Sequence, residues 1–281
     1  MNVLIVGANS YIGDSFCSWV KRKNIQDVNI TILDAKGEKW RTFDYQPYEI
    51  IYYVTGIAHI KETDENKNLY YQVNRDLTIQ IAKCAKQAGV KQFIVLSTMS
   101  VYGKTTGVIS ASDLERPVTH YGKSKYEADL VLRKMNCDSF RVAILRPPMV
   151  YGKGCKGNYQ LLRKFSLKIP VFPQVKNQRS MIFIDNLSSF VYYLMKKQYS
   201  GTFFPQNDHY VCTSTMVREI SKVHQKQIVM IPGLSGLMRL VPIHLFDKVF
   251  GDLVYERISY PDFENDKKEF TETIRLTEGE I

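Results

Sequence analysis

Val3-Leu4-Ile5-Val6-Gly7-Ala8-Asn9-Ser10-Tyr11-Ile12-Gly13 decides the fold. Four apolar residues read as a buried strand, a glycine turn follows at once, and Tyr11 to Lys23 carries helical spacing. Val28 to Leu33, rich in β-branched residues, completes a strand–helix–strand unit. Ile50 to Val54, Phe93 to Leu96 and Ser139 to Leu145 repeat the strand signal, with helical stretches at Asn68 to Ala88 and Tyr121 to Met135 between them. This alternation predicts an α/β fold with a parallel sheet covered by helices on both faces. After Pro147-Pro148 the pattern loosens into glycine-rich and lysine-rich turns, short helices and the apolar stretch Leu234 to Phe250. That stretch is expected to be a lid packed on the sheet, with peripheral membrane contact as the alternative.

Bulk properties narrow the function classes. The 281 residues suffice for one large α/β domain or a domain with a smaller lobe. A net charge of +10 predicts a surface that attracts anions. Basic residues alternate with acidic ones instead of forming a block, which points to a small anionic ligand and away from nucleic acid. Cys17, Cys84, Cys137, Cys155 and Cys212 are odd in number, widely spaced and free of any Cys-x-x-Cys pair. Neither a disulfide framework nor a zinc site is expected, and no other metal. With no basic leader and no eighteen-residue apolar run, the expectation is a cytoplasmic protein without an integral membrane segment.

The turn Gly7 to Gly13 lies between a strand and a helix, where backbone N–H groups and the helix dipole face a pyrophosphate. Gly7, Asn9, Ser10, Tyr11, Ile12 and Gly13 are therefore candidate dinucleotide contacts, with Ser10 standing where many such loops carry glycine. Asp34 follows the second strand, twenty-one residues after Gly13, near the spacing at which a carboxylate meets an adenosine ribose diol. A 2′-phosphate is repelled there, so NAD is favoured, while Lys36, Lys39 and Arg41 keep NADP open. Asp44 and Tyr45 are candidates for the adenine edge, and Thr55-Gly56-Ile57 ends the third strand on the cofactor face.

Further along stand Ser97-Thr98-Met99-Ser100, at the end of an apolar run, and Tyr121-Gly122-Lys123-Ser124-Lys125. Four residues apart on a helix, Tyr121 and Lys125 share a face, so the ammonium is expected to favour the ionised phenol and make Tyr121 an acid/base.

Together with Tyr71-Gln72-Val73-Asn74 and Val101-Tyr102-Gly103, these motifs occur in the order found in extended short-chain dehydrogenase/reductases of the sugar-nucleotide epimerase/dehydratase type, which the chain resembles over nearly its whole length. The resemblance implies a Rossmann doubly wound sheet: residues 1–150 binding the dinucleotide, and 151–281 forming a smaller substrate-binding lobe interleaved with it. It implies Thr98, Tyr121 and Lys125 as catalytic residues. Thr98 would hydrogen-bond the sugar oxygen, Tyr121 would transfer its proton, and Lys125 would lower the phenol's pKa and bind the nicotinamide ribose. Asn74, Ser97 and Pro147 would join the cofactor site, and Ser100, Asn158 and Arg179 the substrate site, with Arg179 on the diphosphate. A homodimer through a two-helix face is a further implication.

Dehydratases of this family follow the catalytic threonine with Asp-Glu, and here those positions are Met99-Ser100. Dehydration is therefore not expected. Redox chemistry at C4 of a nucleotide sugar remains, as a UDP-hexose or UDP-N-acetylhexosamine 4-epimerase or as a UDP-4-keto-6-deoxy-sugar 4-reductase. A dinucleotide sensor without catalysis is a third reading.

Overall fold

The computed structural model describes residues 1–58, 60, 62–233, 250–263 and 268–279; the expected lid, apart from Phe250, lies outside them. The chain divides into two compact units, one of Met1–Gly103, Leu114–Pro147 and Leu187–Pro205, the other of Lys104–Asp113, Pro148–Asn186 and Gln206–Ile281. Residues 104–113 and 187–205 thus each sit in the unit on the other side of position 150.

In the first unit, β1 (Asn2–Val6), β2 (Asn29–Leu33), β3 (Ile50–Tyr53) and β4 (Gln92–Leu96) join β6 (Arg141–Leu145) and β10 (Gly201–Phe203) in one sheet, ordered β2-β1-β3-β4-β6-β10. Every neighbouring pair is parallel. Val3 to Val6 and Ile50 to Tyr53 are all buried, as strands covered on both faces must be. Alternate side chains divide between two layers. Leu4, Val6, Ile51, Tyr53, Phe93 and Val95 pack with Ile81, Ala82 and Ala85 of α3 (Thr78–Gln87) and Leu132 of α4 (His120–Met135). On the opposite face, Phe16 of α1 (Tyr11–Arg22) meets Tyr52 edge-on, 5.5 Å between ring centroids. The chain runs from β1 outward to β2, then crosses back to β3. The carboxyl ends of β1 and β3 therefore bound a switch-point crevice, the place where open α/β sheets bind ligands.

The single helix expected over Asn68 to Ala88 is interrupted. Between α2 (Lys67–Tyr71) and α3, residues Gln72–Leu77 form a π-helical turn. Its wider spacing turns Asn74 fully into the interior, and Thr78 Oγ1 donates to the Asn74 carbonyl at 2.9 Å. π turns of this kind collect at functional sites.

Among its described residues the second unit carries three short parallel strand pairs: β5 (Gly107–Ile109) with β12 (Leu253–Tyr255), β7 (Met149–Tyr151) with β9 (Met181–Phe183), and β8 (Val171–Pro173) with β11 (Val229–Ile231). The helices among its described residues are α5 (Asn158–Lys168), α7 (Thr213–Val223) and α8 (Phe270–Glu278), while α6 (Ile184–Lys197) leads into the first unit. Glu278 fastens α8 down: its buried carboxylate accepts from Tyr159 Oη at 2.7 Å and Arg163 Nε at 2.6 Å and pairs with His224 Nε2 at 2.6 Å. Among the described residues, no helix is long and apolar enough to cross a membrane.

Burial opposes ionisation of Glu278, but His224, Tyr159 and Arg163 hold its pKa below the usual carboxylate value. A lowered carboxylate pKa contributes stability above the unfolded-state pKa and loses it as pH falls through the folded one. Glu278→Ala is expected to cost about 3 kcal/mol at pH 7 in chemical denaturation. The gap from wild type should close as the solution is acidified below the carboxylate range.

Candidate active site

The crevice begins at a turn whose first and last residues are close-packed glycines. Gly7 has φ +134°, and a Cβ there would lie 2.9 Å from Val54 Cγ2 and 3.0 Å from the Thr55 nitrogen. At Gly13 a Cβ would lie 3.1 Å from Ile5 Cγ2 and 3.2 Å from Val54 Cγ2, so its absence lets α1 settle onto the sheet. Ser10 N-caps α1, its Oγ accepting from the Gly13 N–H at 3.5 Å, and Asn9 takes a left-handed conformation at φ 58°. Tyr11 and Ile12 open the helix half-buried. Across the crevice Thr55 Oγ1 donates to the Val6 carbonyl at 2.9 Å. Asp34, exposed at the end of β2, accepts from the Lys36 N–H at 2.9 Å, and exposed Asp44 accepts from the Gln46 N–H at 3.0 Å. Bare backbone at a helix N-terminus, with a carboxylate at the end of β2, fits a dinucleotide. Tyr45 does not fit its expected place: its side chain lies in the core and donates to the Trp40 carbonyl at 2.8 Å, since a phenyl ring on this turn is better hidden from water than laid on a ligand.

The reacting hydroxyls meet where two tight turns touch. Thr98, at the end of β4, caps a 3₁₀ turn over Met99–Tyr102; its Oγ1 accepts from the Ser100 N–H at 3.1 Å and donates to Ser100 Oγ at 3.3 Å. Opposite, Thr119 Oγ1 accepts from the Gly122 N–H at 3.0 Å, and the Glu62 carboxylate accepts from the N–H groups of His120 at 3.0 Å and Tyr121 at 2.9 Å. These caps satisfy the first turn of α4 and fix the residue that carries the phenol. A Cβ at Gly122 would stand 2.8 Å from the Ser100 carbonyl oxygen, so glycine lets the two turns abut. The Thr98 hydroxyl consequently comes close enough to the Tyr121 phenol to act on its ionisation.

One turn along α4, Lys125 is 6% exposed and donates from Nζ to the Leu96 carbonyl at 2.9 Å. A Cβ on Gly56 would sit 3.0 Å from that Nζ and 3.1 Å from Asn74 Oδ1, so a bare backbone makes the room. Asn74 accepts from the Ile57 N–H at 2.8 Å and donates to the Ile57 carbonyl at 3.1 Å and Ser124 Oγ at 3.3 Å. Its carboxamide is spent tying the loop after β3 to α4, so it supports the crevice instead of facing a ligand. Ser97 is likewise turned away, its hydroxyl donating to Asp129 Oδ2 at 2.8 Å, while the Pro147 carbonyl accepts from the Met99 N–H at 3.4 Å.

The electrostatics correct one expectation. Burial pushes the Tyr121 phenol up, Thr98 pulls it partly back, and Asp129 and Tyr70 push it further up. Burial lowers Lys125 to about 8 against the opposing field of Asp129. Here the phenol is held protonated, because loss of water outweighs the pull of Thr98. The helix face places Lys125 beside Tyr121 as spacing requires, but spacing carries no information about desolvation.

Asn158 and Arg179 belong to the second unit. Asn158 is exposed at the first position of α5. Arg179 exchanges backbone hydrogen bonds with Val211, and its Nη1 donates to the Gly251 carbonyl at 2.8 Å. Sequence reading missed Glu62, whose role depends on a partner fifty-nine residues away, and Asp129, whose place four residues after Lys125 was a usable signal.

Two substitutions test this geometry. Gly56→Ala should displace the Lys125 head group and weaken activity more than stability, measured by turnover and thermal denaturation side by side. Lys125→Met should abolish turnover while raising stability at pH 7 by about 1–3 kcal/mol, because a lysine whose folded pKa is depressed destabilises the fold wherever it is charged. The gain should shrink as pH rises above 8.

Residues 3–212 match the model of the NAD dependent epimerase/dehydratase family. The UDP-glucose 4-epimerase of Vibrio cholerae is 34% identical over 216 residues, 72% of this chain and 63% of that protein. The N-acetyl-alpha-D-glucosaminyl-diphospho-ditrans,octacis-undecaprenol 4-epimerase of Escherichia coli O157:H7 is 27% identical over 218 residues, 71% of this chain and 65% of that protein. The match therefore spans less than two thirds of either relative's length. In fold, the chain resembles the UDP-glucuronic acid 4-epimerase of Bacillus cereus in complex with NAD, with a TM-score of 0.78 at 14% identity over 100% of this chain and 96% of the other. With the glycine cradle, the hydroxyl turn and the Tyr-x-x-x-Lys helix in one crevice, the chain belongs to the NAD dependent epimerase/dehydratase family.

Proposed function

We propose that this chain is an NAD-dependent 4-epimerase acting on a sugar diphosphate, with a UDP-hexose or UDP-N-acetylhexosamine as substrate. The observation that carries the reading is the meeting of Thr98, Tyr121 and Lys125 at the switch-point crevice, beside a turn that opens and closes on close-packed glycines. Met99 and Ser100 stand where an acid pair would serve dehydration. NAD held at Gly7 to Gly13 would supply reversible hydride acceptance. Thr98 would hold the C4 oxygen, and Tyr121 would take the hydroxyl proton and return it to that oxygen once the ketone has turned, so that hydride comes back to the opposite face of C4. Lys125 would offset part of the cost that burial sets on forming the phenolate. Asn158 and Arg179 receive the diphosphate side, for which a guanidinium fork is suited. A cytoplasmic homodimer, with residues 1–150 serving the cofactor and 151–281 the sugar, completes the reading.

One observation favours a second reading. A phenol held protonated suits donation to a ketone oxygen, as a 4-ketoreductase requires. The retained Tyr121 and Lys125 speak against a dinucleotide sensor.

Incubation with UDP-glucose, UDP-N-acetylglucosamine, a polyprenyl-diphosphate N-acetylglucosamine and a UDP-4-keto-6-deoxy sugar separates these readings. Inversion at C4 without net change in NADH absorbance is the expected outcome. Net NADH oxidation with the keto sugar alone would establish the reductase instead. Tyr121→Phe should lower turnover by about 10²- to 10⁴-fold, and full activity in that variant would overturn both enzymatic readings.

A further inference from the structure

Behind the reaction centre lies a charged chain to which no role has been given. Asp129 follows Lys125 by one helical turn, is 1% exposed, and stands on the stripe that begins with Tyr121. Its Oδ2 accepts from Ser97 Oγ at 2.8 Å, Arg146 Nε at 3.2 Å and Arg146 Nη2 at 3.0 Å. Arg146, also 1% exposed, donates from Nη1 to Tyr102 Oη at 2.8 Å and pairs with Glu115 at 2.9 Å; Glu115 pairs in turn with Arg133. Buried ion pairs rarely repay their desolvation in stability, and a well-packed apolar set would serve as well. Their placement calls for another explanation.

We infer that Asp129 is a positioning residue of the reaction centre, anchored by Arg146 and Ser97 so that its carboxylate stands behind Lys125 and keeps that side chain an ammonium beside Tyr121. The inference rests on the reading of Tyr121 and Lys125 as the reacting pair. The same carboxylate ties α4 to the end of β4 through Ser97, the residue before Thr98, so charge and position are set by one group.

The groups that face Lys125 leave the task to Asp129. The Leu96 carbonyl at the end of β4 and the Asn74 carboxamide on the π turn are neutral, and Gly56 offers only backbone. Tyr121 on its own helix is held protonated, with Tyr70 of α2 against it. Glu62 is engaged at the first turn of α4, while Glu115 and Arg133 lie on the far side of Arg146. Burial favours the neutral amine, and Asp129 opposes it. Burial pushes the Asp129 carboxyl up, and Arg146 and Ser97 pull it partly back.

The test reads Lys125 itself. In the full chain carrying ¹³Cε-labelled lysine, the Lys125 resonance is assigned by its loss in Lys125→Arg and titrated by NMR. Wild type should titrate near 8. Asp129→Asn should lower that midpoint by about one unit or more, the lower end of what a close opposite charge contributes, and Asp129→Glu should restore it. A merely structural role would leave the midpoint in place, and an unchanged midpoint in folded Asp129→Asn would overturn the inference. Should that variant fail to fold, the wild-type Asp129 ¹³Cγ shift decides: a carboxylate at pH 7 supports the inference and a protonated acid overturns it. Because neither readout uses turnover, a lowered midpoint in a protein that epimerises no sugar would sink the proposed function alone.

Discussion

An ammonium at the floor of this crevice has lost nearly all its water, and much of the surrounding structure answers that loss. Lys125 is buried, and burial alone drives it towards the neutral amine. A backbone carbonyl at the end of β4 accepts a hydrogen bond from it, a glycine after β3 clears its path, and a carboxylate one turn further along its helix opposes its discharge. Each element is ordinary alone. Their convergence on one nitrogen requires the ends of β3 and β4 and the start of α4 to be held within narrow limits, and the parallel sheet supplies that rigidity.

The same constraint accounts for local features that propensity would not favour. Asn74 lies in a π turn because only the extra residue swings its carboxamide onto the Ile57 backbone. Gly122 lies in the first turn of α4, a costly place for glycine in a helix, because the Ser100 carbonyl would meet a methyl group there. The buried Asp129–Arg146 pair lies where aliphatic packing would be the simpler choice. Local conflict with the rules of helix and core is concentrated around the reacting hydroxyls, as expected where function competes with stability.

How much was legible beforehand follows from the range of each interaction. Five of the six strands of the sheet could be anticipated because apolar runs and helical spacing are local signals, whereas β10 (Gly201–Phe203), three residues long, carries too short a run to be read. The glycine turn, Thr98 and the Tyr121–Lys125 pair were also legible, since each is a short motif tied to a strand end or a helix start. Tyr45 misled because an aromatic residue beside an acidic one reads equally well as a ligand contact and as core, and only packing against Trp40 and Phe43 separates the two.

By itself, then, the sequence determined the layered α/β architecture, the glycine turn after β1 and the shared helix face of Tyr121 and Lys125, because periodicity and turn chemistry act over a few residues. The tertiary structure alone decided the protonation of Tyr121, the capping of its helix by Glu62 and the charged chain from Asp129 through Arg146 to Glu115. Desolvation and ion pairing depend on which distant segments close around a group, and no spacing in the chain records that.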